Sequence, residues 1–62
     1  MIVIPDGVEL TEKQKKTINY FSIHGMRLHY DRLMNDESIV VKSSVFYHRI
    51  YKTGRAELLG GV

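Results

Sequence analysis

The residues best equipped for chemistry lie between positions 42 and 55, where cations alternate with tyrosines: Lys42, Tyr47, Arg49, Tyr51, Lys52 and Arg55. Guanidinium and ammonium groups meet phosphates, and phenol rings stack on unpaired bases. These six are therefore the candidate nucleic-acid-binding residues. The same residues also suit a plainer use, in which the tyrosines half-cover a small core and the cations keep the surface wet. Ser43, Ser44 and His48 are close in sequence, but no spacing marks them as a nucleophile with its base. His29 and Asp31 are two apart, so on a helix they would face away from each other. No named catalytic motif is present, and a chain of this size has little room for a supporting shell, so no enzymatic role is expected. His24 and His29 are five apart, not the four of a helical metal pair, and Gly25 lies between them. With no cysteine in the chain, neither a metal nor a cofactor is expected.

What positions these residues is a single small domain, 1–62. A chain of 62 residues buries only about 60% of the surface its unfolded form exposes. No disulfide can staple it, which leaves a tight core or self-association as the routes to stability. No apolar run reaches the ~18 residues of a membrane span. The opening Met1-Ile2-Val3-Ile4-Pro5-Asp6 lacks the basic start and long apolar core of a secretory signal. The expected setting is the cytoplasm. The net charge of +2 conceals a layout: residues 1–12 carry −3, 13–16 carry +3, 17–37 carry −1 and 38–62 carry +3. A basic, aromatic last third is the footprint of a surface that meets an anionic partner.

Ile2-Val3-Ile4 is a β-prone run closed by the turn chemistry of Pro5-Asp6-Gly7. Thr11 with Gln14 three residues later has the spacing of a capping box, and Glu12 suits the first turn. The helix so begun carries Ile18, Tyr20, Phe21 and Ile23, and Gly25 is a natural stop. Met26, Tyr30, Leu33 and Met34 then fall at i, i+4, i+7 and i+8, which predicts further helix over 26–35, kinked or separate. That stripe would serve as core or, less simply, as an interface. Residues 39–51 are rich in β-branched and aromatic types, which favours strands at about 38–42 and 45–52. Thr53-Gly54 is a candidate tight turn, and a last strand over 55–59 would end at Gly60-Gly61.

A competing reading starts a helix at Ser43 or Ser44 and ends it at Gly54, making a three-helix helix-turn-helix with a C-terminal wing. The string Val40-Val41-Lys42-Ser43-Ser44-Val45-Phe46-Tyr47-His48-Arg49 resembles the recognition-helix start of winged-helix regulators. It departs from their pattern at Arg49, where an apolar residue usually packs, and in the long glycine-free connection before it. Leu10-Thr11-Glu12-Lys13-Gln14-Lys15-Lys16 is similar to the opening of phage small-terminase DNA-binding domains, and is also simply a well-made helix start.

The expected architecture is α+β, a helical segment over 11–35 on a small antiparallel sheet. The expected function is a non-catalytic binding module for nucleic acid, DNA or RNA, through segment 42–55. In the strand reading Tyr47, Arg49 and Tyr51 share one face, and charge reversal at Arg49 and Lys52 should weaken binding and its salt dependence. The alternative is protein recognition, as an adaptor, an inhibitor or a homo-oligomer, through β-prone edges such as Ile2-Val3-Ile4 or Leu58-Leu59.

Overall fold

A computed structural model describes residues 2–61. One helix, α1 (Glu12–Ile23), packs on a sheet of four strands, β1 (His29–Leu33), β2 (Ile39–Lys42), β3 (Phe46–Ile50) and β4 (Ala56–Gly61). The strands run in the order β1-β2-β3-β4, each antiparallel to the next, and the sheet is not closed into a barrel.

Both ends of α1 follow from local hydrogen-bond chemistry. The Thr11 hydroxyl accepts from the Gln14 amide, and the Gln14 side chain accepts from the Thr11 amide, so two free donors of the first turn are satisfied. At the other end Met26 N donates to Phe21 O and Gly25 N to Ser22 O, both at 3.0 Å. This is a Schellman ending, and it needs Gly25 at φ 84°.

That ending is why the expected helix over 26–35 does not form. With Gly25 left-handed the chain reverses, and residues 29–33 pair with β2 as an edge strand. The helical spacing of Met26, Tyr30, Leu33 and Met34 was coincidental. Met26 and Tyr30 still lean on the core, Leu33 is largely exposed, and the buried residue of the stretch is Leu28, which lies off the stripe. The helix-turn-helix alternative fails for a related reason, since 46–50 is extended and paired on both sides. The resemblance to a recognition-helix start fails with it. Residues 2–4 are not a strand; Ile2 packs against the core beside Val8 and Leu10.

Strands β2 and β3 lie within the expected segments. Ser43 joins them: its hydroxyl accepts from the amides of Val45 and Phe46, and its amide donates to Phe46 O at 2.8 Å. Strand β4 runs through Gly60 and Gly61 where a stop was expected, with a bulge opposite Tyr47 and His48. The β1–β2 and β3–β4 turns are alike, each closed by one residue with positive φ, Glu37 at 66° and Gly54 at 91°. Both turns sit against the start of α1. Gln14, fully buried, donates from Nε2 to the carbonyls of Glu37 and Ile50 at 3.1 and 3.2 Å. Thr11 donates to Lys52 O at 2.9 Å, and the Thr17 hydroxyl lies between the carbonyls of Lys13 and Gly54. The core beneath is Ile18, Leu28, Ile39, Val41 and Ile50.

Candidate functional site on the open sheet face

Cross-strand partners share a face of a sheet, so the register sorts every side chain. Leu33, Ile39, Ile50 and Ala56 form one row toward α1, and Tyr30, Val41, His48 and Leu58 form the next. The opposite face carries two other rows. One is Arg32, Val40, Arg49 and Glu57; the other is His29, Lys42, Tyr47 and Gly60. Tyr51 follows two residues after Arg49, roughly 7 Å further along the strand direction. Tyr47, Arg49 and Tyr51 thus share the face away from α1. Val40 is fully buried there yet lies outside the core cluster, which marks a small apolar floor beneath longer neighbours.

Arg49 is the centre of this face. Its Nε donates to Ser38 Oγ at 2.8 Å and its Nη2 to Asp36 Oδ2 at 2.9 Å. The Ser38 hydroxyl donates onward to Asp36 Oδ1, which also accepts from Ser38 N at 3.0 Å. The guanidinium carbon lies 4.9 Å from the centre of the Tyr51 ring, and that of Arg55 lies 5.3 Å from it. Cations near a phenol face are attracted by its quadrupole. The Tyr51 hydroxyl donates to Glu57 Oε1 at 2.9 Å, and this bond, followed by desolvation, raises its pKa above 10. Asp36 moves the other way, from 3.8 to about 2, chiefly through the Ser38 hydroxyl, then the Ser38 amide, with Arg49 adding to both.

Of the expected site residues, Tyr47, Arg49, Tyr51 and Arg55 are gathered by strand geometry and by these contacts. Lys42 is exposed beside Tyr47 at the far end of the face. Lys52 is set apart: it lies in the β3–β4 turn, and its ammonium pairs with Glu37 at 3.6 Å. The charge layout also changes in three dimensions. Asp36 and Glu37 are brought back against the basic last third, so Arg49 meets Asp36 and Lys52 meets Glu37, while Asp31 pairs with its neighbour Arg32. Arg55 lies 3.6 Å from Glu57. The pairs of Arg32, Lys52 and Arg55 are exposed and contribute about 0–1 kcal/mol each, so a phosphate can compete for those three cations, whereas Arg49 is mostly buried against Asp36. Lys42 has no carboxylate within 4.0 Å among the described residues.

Sequence reasoning missed Asp36, Ser38 and Glu57 as partners of the site. Asp followed by Ser two residues later is turn chemistry and was readable as such. Its link to Arg49, thirteen residues away from Asp36, depends on the β2–β3 register.

On the helix side a second feature stands out. Rings run in sequence from Tyr20 to Phe21 (6.0 Å between centres), to His48 (5.4 Å) and to Phe46 (6.4 Å). Tyr20, Ile23, Phe46 and Leu58 are all exposed around this run, and His48 Nδ1 is buried there without a hydrogen-bond partner. Ser43, its hydroxyl engaged in the hairpin, belongs to the β2–β3 turn. Among the described residues no three histidines or carboxylates converge as a metal site. No protein-family model, no curated protein and no solved structure matches this chain.

Proposed function

We propose that this domain is a non-catalytic binding module for single-stranded nucleic acid, and that the open face of the sheet is its binding surface. One observation carries the reading: Tyr47, Arg49 and Tyr51 share the face that α1 leaves uncovered. Tyr47 has the glycine Gly60 opposite it on one side and Lys42 on the other. A base laid on its ring therefore has a glycine as its direct cross-strand neighbour on the β4 side, and a phosphate has an ammonium within reach. Sheet faces carrying part-exposed aromatics, as Tyr47 and Tyr51 are, suit unpaired bases, whereas reading the major groove of a duplex calls for an inserted helix or ribbon. No helix among the described residues is long and apolar enough to cross a membrane, and a cytoplasmic place of work fits this ligand.

The test is fluorescence anisotropy at low salt with ten-residue oligothymidylate, oligouridylate and a duplex of equal length. Both single strands should bind with a salt-dependent Kd and more tightly than the duplex; their ratio separates DNA from RNA. Tyr47→Ala should weaken binding about 5- to 100-fold, the range for loss of one stacked base. Lys42→Glu should reduce the salt slope. Retention of none of the three at low salt would remove this reading. It would favour recognition of a protein or of a second copy, for which the exposed apolar band of Tyr20, Ile23, Phe46 and Leu58 is the supporting observation.

A further inference from the structure

The geometry points to Arg49 as a fixed reader of guanine within that single strand, taking the O6 and N7 acceptors of the base on the free end of its guanidinium. This rests on the open face being the binding surface. A guanidinium has two usable edges, the side formed by Nε and Nη2 and the end formed by Nη1 and Nη2. In this protein the side edge is filled: Nε donates to Ser38 Oγ and Nη2 to Asp36 Oδ2. Among the described residues Nη1 has no partner, so the end edge keeps the parallel N–H pair that matches two adjacent acceptors. The supports are themselves held. Ser38 is fully buried and donates its own hydroxyl hydrogen bond to Asp36, and the Tyr51 ring lies against the guanidinium. A donor pair fixed in this way loses little rotamer freedom on binding.

A phosphate would fit the same fork, but the charge argues against it. Asp36 already lies 2.9 Å from Arg49, so a further anion meets a nearly neutral pair rather than a cation. A neutral base needs two well-placed donors and no net charge. Adenine offers N7 beside an amino donor, and thymine offers a single O4, so neither satisfies both N–H groups.

The decisive measurement uses the unaltered protein and modified bases. One guanine placed centrally in a ten-residue oligothymidylate should tighten binding about tenfold, within the range for one bidentate contact. Inosine, which keeps O6 and N7, should bind like guanine; 7-deazaguanine, which lacks N7, should fall back toward thymine. Asp36→Asn should flatten the preference while oligothymidylate still binds, with circular dichroism reporting that the variant is folded. Equal affinity for the guanine and all-thymine strands would overturn the assignment while leaving the proposed surface intact. So would an unchanged advantage for 7-deazaguanine, which would mean stacking rather than edge reading. Failure to bind any strand would overturn both.

Discussion

Gln14 is the residue whose replacement tests most sharply how this small domain is held together. It is fully buried, and its side chain makes three hydrogen bonds: one from the Thr11 amide, and one each to the carbonyls of Glu37 and Ile50. A single amide therefore closes the start of α1 and ties it to the β1–β2 turn and the end of β3. In Gln14→Met, similar in length but unable to bond, the buried Ile50 carbonyl would lose its partner at a cost of about 1–2 kcal/mol. The bonds at Glu37 and Thr11 are only part-buried, so water recovers some of each and they cost about 0.5–1 kcal/mol apiece. The total is about 2–4 kcal/mol. A domain of this length is expected to have roughly 3–9 kcal/mol in all. With an m-value near 1 kcal/mol/M, the urea midpoint followed by far-UV circular dichroism should fall by about 2–4 M. Gln14→Glu should be worse at neutral pH, because a carboxylate would face two carbonyls, and should recover as acid restores one donor. A Gln14→Met protein within about 0.5 kcal/mol of the parent, with an unchanged m-value, would refute the reasoning, since those carbonyls would then be solvated.

Other positions give separate checks. A Cβ on Gly54 would lie 3.1 Å from Lys13 O and 3.2 Å from both Lys13 Cβ and Thr17 Oγ1, at a φ of +91°. Gly54→Ala should therefore cost about 2–4 kcal/mol in a thermal melt, while Gly25→Ala, with open space around it, should cost only the ~1–2 kcal/mol of a left-handed alanine. Glu37 adopts the same turn conformation without being glycine, so Glu37→Gly should raise stability by about 0.5–1 kcal/mol in urea titration, despite loss of the exposed pair with Lys52. Asp36 has a folded pKa of about 2, below its ordinary 3.8, so its contribution is complete above about pH 5 and is lost as pH falls toward 2. Asp36→Asn should flatten that acid limb in urea titrations run across pH. For Tyr51 the sign is opposite: its raised pKa favours the neutral phenol, so its ionisation, followed by NMR, should come later than that of a free tyrosine. Glu57→Gln should bring it earlier.

The legible parts of the fold were those set by neighbours in sequence. Thr11 and Gln14 announce a helix start because the two groups satisfy each other across three residues. Gly25 announces its end because the reversal needs a left-handed residue. The β-branched run from Ile39 to Tyr51 and the turn at Gly54 read correctly because their preferences are steric and local. Met26, Tyr30, Leu33 and Met34 misled, because five residues of edge strand and one amphipathic helical turn leave similar traces. Only pairing with β2 distinguishes them.

For the candidate site, period-two alternation in the sequence by itself determined that Tyr47, Arg49 and Tyr51 would share a face if the segment were a strand. It also determined the residue types able to bind there, and where α1 begins and ends. The tertiary structure alone decided which face stays open, because that depends on where α1 lands. It decided too that Asp36 and Glu37 fold back onto the basic last third, turning a charge layout into ion pairs. The reason is the same in each case. Backbone stereochemistry acts over three or four residues, whereas the partner of a charge or the cover of a sheet is chosen by the packing of the whole chain.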